Sequence, residues 1–262
     1  MTVSLGAVSY LNTKPLIYGL QGRLLDCRLR LDLPSRLADD LTAGALDVAL
    51  IPSVEFLRGQ EFSVISDACI ACRGPVRSVR VLFRQPPHKV RSLALDEGSR
   101  TSAALSQVLL ARRYGLRPEL LPFSIDDDIA AVQADAVLMI GDRAMNLDTT
   151  GYVADWDLGE EWTRETGLPF VFAMWVAGPA VARQPHLANL LSSALQGARD
   201  TGLAHIEDIV AREAPRYGLT DDDCRAYFLE QLHFTLGPSE LSGLERFRHW
   251  AAELGLLPAA SQ

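Results

Sequence analysis

The sequence predicts an α/β protein of two lobes followed by a helical C-terminal segment. Three observations carry that reading. Strand-like and helix-like stretches alternate through the first 83 residues, as they do where helices cover a mostly parallel sheet. Pro86-Pro87-His88 punctuates the chain, and a second alternating unit starts after it. From Pro185 onward apolar residues recur almost throughout at steps of three and four, the period of a buried helical face.

The elements follow in order. Val3–Val8 is a short apolar run suited to a buried strand. It breaks into the polar turn Ser9-Tyr10-Leu11-Asn12-Thr13, and Pro15 suits the first turn of a helix to Leu24. Arg28–Leu33 alternates as a strand, Pro34–Leu41 has helical spacing, and Asp47–Ser53 is a buried strand ending in a turn. A short helix opens at Val54, and Phe62–Cys72 and Val76–Phe83 read as successive strands. In the second unit Ser92–Leu95 is a strand, Asp96–Ser102 a turn and Ala103–Tyr114 a strongly amphipathic helix. Glu119–Pro122 and Ala136–Ile140 are strands, with a helix from the Asp126–Asp128 run to Gln133 between them. Gly141-Asp142 ends the latter strand, and Gly167-Leu168-Pro169 leads into the apolar run Phe170–Val176. Four helices close the chain: His186–Arg199, Leu203–Ala214, Asp221–Leu232 and Glu240–Leu254.

Composition narrows the function classes. With 262 residues and 48% apolar content, the chain has ample material for packed cores. A net charge of −8 with only two lysines, Lys14 and Lys89, and scattered arginines argues against nucleic acid as a partner. Apolar runs such as Phe170–Gly178 fall far short of the roughly 20 residues of a membrane span, so no membrane partner is expected. Strand-like residues already at Val3, without a signal-peptide pattern, read as a cytoplasmic protein. The number of subunits is left open.

Several tempting patterns carry no chemistry. Cys69-Ile70-Ala71-Cys72 has redox spacing but lies in a strand, where residues three apart point to opposite faces. A redox pair wants its first cysteine at a helix N-terminus, so these are expected to be buried packing residues. Cys27 and Cys224 stand alone, and His88 and His186 are isolated, so no metal and no cofactor is expected. No glycine-rich phosphate loop or Gly-x-Ser-x-Gly elbow is present. Trp156, Trp162 and Trp175 are read as packing residues.

The candidate site is a set of turns. Ser9–Asn12, Pro52–Val54, Ser99–Ser102 and Gly141-Asp142 each follow a predicted strand, and in an open α/β sheet such turns gather where ligands bind. This makes Ser9, Tyr10, Asn12, Pro52, Ser53, Gly141 and Asp142 candidates. Ser99-Arg100-Thr101-Ser102 is the best carboxylate site, offering hydroxyls, a guanidinium and the free N–H groups of a helix start. Either of Arg77 and Arg80, beside Ser78, could meet a second carboxylate.

The opening words Val8-Ser9-Tyr10-Leu11-Asn12-Thr13-Lys14-Pro15-Leu16 closely resemble the start of the MqnA family, chorismate dehydratases of the futalosine route to menaquinone. The resemblance extends through Asp47–Leu57, Ser99–Ser102, Ala136–Asp142, Asp157–Trp162 and Thr166–Ala173, in the right order. It implies a two-lobed fold similar to type II periplasmic binding proteins. Lobe one would be 1–82 with 173–262, lobe two 83–172, and the crossings would lie near Val79–Phe83 and Phe170–Trp175. Ser78, Pro169 and Phe170 then join the cleft.

The resemblance further implies loss of water from chorismate to give 3-[(1-carboxyvinyl)oxy]benzoate. Asn12 would sit near the reacting carbons, Ser99–Ser102 would hold one carboxylate, and Ser78 would help hold the other. The proton acceptor would be a substrate carboxylate or water, with Asp142 as the alternative. The competing readings are a non-catalytic carboxylate-binding protein of the same fold and the sister 1,4-dihydroxy-6-naphthoate synthase. The sister enzymes open with a Cys-Pro-Asn-Asp-type turn, unlike Tyr10-Leu11-Asn12-Thr13 here.

Overall fold

The apolar run Val3–Val8 forms strand β1 in a computed structural model that describes residues 2–258 except 25, 60, 125 and 126. Ten strands follow among the described residues: β2 (Cys27–Asp32), β3 (Val48–Pro52), β4 (Ser63–Cys72), β5 (Val79–Phe83), β6 (Ser92–Asp96), β7 (Glu119–Phe123), β8 (Ala136–Ile140), β9 (Ala154–Asp157), β10 (Phe170–Ala177) and β11 (His233–Thr235). They form two sheets, ordered β11-β4-β10-β3-β1-β2 and β7-β6-β8-β5-β9.

The mostly parallel sheet expected from the alternation is corrected to two mixed sheets. β1 runs parallel to β2 and β3, and β6 parallel to β7 and β8. The remaining pairs, all of which involve β4, β5 or β10, are antiparallel. β5 and β10 are the strands on which the chain enters one sheet from the other, so they run against their new neighbours. Every residue of β3, β8 and β10 is buried, as expected of strands with neighbours on both edges and cover on both faces.

Two helical expectations change. The segment read as a helix from Pro15 to Leu24 is a 3-10 turn, Leu11–Ile17, then a short helix, Leu20–Arg23, separated by Gly19 in the left-handed conformation. The Arg100–Tyr114 helix is not amphipathic: none of its residues is exposed before Arg112. It lies between the second lobe and the C-terminal helix Pro238–Glu253, and so needs apolar or small residues around its whole girth. Among the described residues between β7 and β8 the only helical element is the 3-10 turn Ile129–Ala131, and Asp126, the expected helix start, lies outside them.

The C-terminal segment is helical, as read. The Pro185–Ala204 helix packs on β4 and on the Leu11–Ile17 turn, and Pro238–Glu253 packs on β10. Trp162 anchors an aromatic cluster with Phe170, Phe247 and Trp250, ring centroids 5.2 to 6.2 Å apart, and its indole N–H donates to the Pro169 carbonyl at 3.0 Å. Truncating so buried a ring costs about 3–5 kcal/mol. Trp156 and Trp175 are buried as well. Cys69 and Cys72 are free and fully buried, and burial pushes the Cys72 thiol up to about 12 and Cys69 upward too, so both stay protonated. Among the described residues no helix is long and apolar enough to cross a membrane.

Candidate active site

A cleft with about 520 Å³ of empty space, part of it open to solvent, lies between the two sheets. Val8, Tyr10, Asn12, Pro34, Pro52, Ile70, Phe172 and Ala173 line it from the first sheet and its connections. Val76, Ser78, Val79, Gly98, Ser99, Arg100, Thr101, Ser102, Ile140 and Gly141 line it from the second. The walls are apolar, and the polar groups cluster at two places.

One cluster is the start of the Arg100–Tyr114 helix. Its first N–H groups have no partner within the helix and, with the helix dipole, favour an anion. Ser99 makes no side-chain capping bond there. Arg100 brings the guanidinium, but Asp39 takes its Nη2 at 2.8 Å and Glu55 lies 3.4 Å from Nη1. Thr101 turns its hydroxyl to the first sheet and accepts from the Val54 N–H at 3.2 Å.

The other cluster is Asn12 and Ser78. Asn12 accepts from the Thr13 hydroxyl at 3.2 Å. Ser78 accepts from the phenolic O–H of Tyr227 at 2.8 Å. The backbone before Ser78 is held hard. Arg77 is left-handed with φ 62, rare for a residue with a side chain, and the Asp157 carboxylate accepts from the N–H groups of Val76 and Arg77. Asp157 also accepts from Gly159 and Glu160, capping the next helix. Burial raises its pKa, although those four N–H groups oppose the rise.

Asp142 points elsewhere. Its Oδ1 accepts from the Leu11 N–H at 3.0 Å, tying the second sheet to the opening turn, and it does not line the cleft. Burial lifts its carboxyl to about 6. Tyr10 lies against Gly98 and Gly141. Burial first, then Asp96 and Asp142, raises its phenol well above the ordinary value, so it stays protonated. Among the described lining residues none carries a carboxylate, an imidazole or an amine. Nor, among the described residues, do three His, Cys, Asp or Glu side chains group as metal ligands would.

Residues 3–253 match the family model described as menaquinone biosynthesis. The chain belongs to that family. Curated relatives named chorismate dehydratase come from Thermus thermophilus, 31% identical over 96% of this chain and 95% of that one, and Campylobacter jejuni, 28% identical over 92% and 94%. The resemblance to the MqnA family is thereby borne out. Among solved structures, a protein of Archaeoglobus fulgidus superposes with a TM-score of 0.80 at 14% identity, covering 98% of both chains. The aliphatic sulphonate binding protein of Escherichia coli gives 0.64 at 13%, covering 98% of this chain and 94% of that one. The fold of this menaquinone-biosynthesis family member is the two-lobed periplasmic-binding-protein type with a helical C-terminal segment.

Most turn residues singled out from sequence do meet at the cleft of this family member: Tyr10, Asn12, Pro52, Ser78, Ser99, Arg100, Thr101, Ser102 and Gly141. Others do not. Ser9, half-buried between the lining residues Val8 and Tyr10, is not itself among them. Ser53 is fully buried and donates to the Val171 carbonyl at 2.7 Å, bracing the first sheet. Pro169 and Phe170 belong to the Trp162 cluster rather than the cleft, and Phe172 and Ala173 take that place. Arg77 and Arg80 are not among the lining residues and pair with Asp223 and Asp155. Tyr227 was not legible at all, because its spacing is that of a core residue in the Asp221–Leu232 helix.

Proposed function

We propose that this protein is a chorismate dehydratase that gives 3-[(1-carboxyvinyl)oxy]benzoate and serves the futalosine route to menaquinone. Family membership and the names of two full-length relatives support the substrate. The observation that carries the mechanism is the cleft without a protein base: its described lining offers hydrogen-bond donors and apolar wall, and no carboxylate or imidazole.

Chorismate suits such a site. Its ring diene conjugates C3 to the ring carboxylate, so removing the C3 proton spreads charge into a dienolate. Loss of the C4 hydroxyl then gives a benzene ring. With aromatisation driving the reaction, the protein has to orient a dianion, stabilise the dienolate and exclude water. The start of the Arg100–Tyr114 helix holds one carboxylate, Ser78 the other, and Asn12 donates near the C3–C4 edge. The proton goes to the substrate's own carboxylate or to water, since Asp142 does not line the cleft.

The lobes are taken as 1–82 with 173–262 and 83–172. The chain passes between them at β5, in the smaller sheet, and β10, in the larger. In this reading the enzyme is a hydro-lyase (a carbon–oxygen lyase).

Purified protein incubated with chorismate alone tests the proposal by chromatography with mass detection. A product lighter by one water, with benzenoid absorption, is expected. Chorismate left intact by folded protein would overturn the reading and move the weight to a carboxylate-binding role.

A further inference from the structure

Tyr227 is completely buried in a π-helical turn, Tyr227–Gln231, that follows the Asp221–Ala226 helix. π turns are rare and occur disproportionately at functional positions. The phenolic O–H donates to Ser78 Oγ at 2.8 Å, and the Asn12 side chain is close enough to influence the phenol. Asn12 and Ser78 both line the cleft, one from the turn after β1 and the other from the approach to β5, while Tyr227 lies behind them. One buried hydroxyl therefore backs this cluster and bonds Ser78 directly.

We infer that Tyr227 is a positioning residue that fixes the hydroxyl of Ser78 as a donor toward the substrate; this rests on the dehydratase reading above. A serine hydroxyl rotates, and it can present either a lone pair or its proton to a ligand. Accepting from Tyr227 on the buried side leaves the Ser78 proton for the cleft. Tyr227 has one proton, and the bond to Ser78 uses it. Thr13 donates to Asn12 Oδ1 at 3.2 Å, which leaves the Asn12 amide N–H groups as donors.

The surroundings of the pair are fixed. Burial raises the phenol above its ordinary pKa, so Tyr227 keeps its proton. The Ser78 backbone cannot drift, because its N–H donates to the Val76 carbonyl at 2.7 Å, its own carbonyl accepts from Gly141 at 2.8 Å, and Arg77 before it is pinned by Asp157. A fixed backbone and a directed hydroxyl are what an oriented donor requires.

Tyr227→Phe removes the donor and keeps the ring, so its melting temperature is expected to stay within a few degrees of wild type. We expect kcat/KM with chorismate to fall about ten-fold, the worth of one directed hydrogen bond. The decisive readout is the cycle with Ser78→Ala. If Tyr227 acts through Ser78, adding Tyr227→Phe to Ser78→Ala costs less than about two-fold. Multiplying effects, or wild-type turnover by folded Tyr227→Phe, would overturn the inference while leaving the dehydratase reading intact. A wild-type protein that does not convert chorismate overturns both. Should the phenylalanine variant not fold, 3-fluorotyrosine at 227 keeps ring and hydroxyl but strengthens the donor. A change in kcat/KM of about two-fold or more, absent in Ser78→Ala, supports the inference, and unchanged rates in both overturn it.

Discussion

A Cβ added to Gly141 would lie 2.9 Å from three ring carbons of Tyr10, so the second sheet meets the opening turn of the first through a bare backbone. Gly141 also has φ 67 and ψ −151, a conformation open to glycine and little else. The Ala136–Asp142 motif therefore carries glycine at position 141 for two reasons that act together. Gly141→Ala is expected to cost about 3 kcal/mol from strain and overlap, read as a lower denaturant midpoint, and to weaken turnover by displacing Tyr10. A midpoint equal to wild type would show that the contact yields without cost.

Asn12 stands at the centre of the donor cluster. Asn12→Ala leaves the core untouched, so the fold should persist, while turnover of chorismate is expected to drop about 100-fold, as when a transition-state donor is removed. Steady-state kinetics beside a thermal melt checks both halves. Unchanged turnover would remove Asn12 from the mechanism.

Asp142 titrates in a way that separates a structural from a catalytic carboxylate. Its folded pKa of about 6 lies above its unfolded value, so the folded protein holds the proton more tightly. The ionised form is therefore the costly one in the native state, and stability falls as pH rises from about 4 to 6. Asp142→Asn removes that slope, and wild type should lose up to roughly 3 kcal/mol relative to the variant across this window. Because the amide oxygen can still accept from Leu11, turnover by Asp142→Asn is expected within a few-fold of wild type. Loss of all activity with fold intact would make Asp142 the base.

Arg100 is shared between the cleft and Asp39. Asp39 is largely exposed, so the pair is weak, and a substrate carboxylate competes with it for the guanidinium. Asp39→Ala is expected to lower KM for chorismate about two- to three-fold, and Arg100→Met to raise it at least about ten-fold. Added salt should shrink the Asp39 effect. An Arg100→Met variant with wild-type KM would leave the helix start as the sole carboxylate grip.

How far the sequence could be read follows from the kind of signal each feature leaves. Strands such as β3 and β8 announce themselves as unbroken apolar runs between turns, and the turns after them carried most of the candidate site, including Asn12, Ser99–Ser102 and Gly141. What the pattern could not convey was direction. That β5 and β10 run against their neighbours depends on where the chain crosses between sheets, and no periodicity records it. Side-chain partners were equally hidden: Ser53 and Thr101 look like ligand donors in sequence, yet they brace the two sheets. Arg77 and Arg80 look like free cations until Asp223 and Asp155 arrive from far along the chain. Tyr227 fell silent because a buried tyrosine facing a serine has the same spacing as one packed in a core.

The most direct test uses chorismate deuterated at C3 and reads the mass of the product. Elimination across C3 and C4 sends the deuterium to solvent, so the account expects a benzenoid product lighter than the labelled substrate by one water carrying the label, with slower turnover than unlabelled chorismate. A product that keeps the deuterium, or labelled chorismate recovered whole from folded protein, would contradict it.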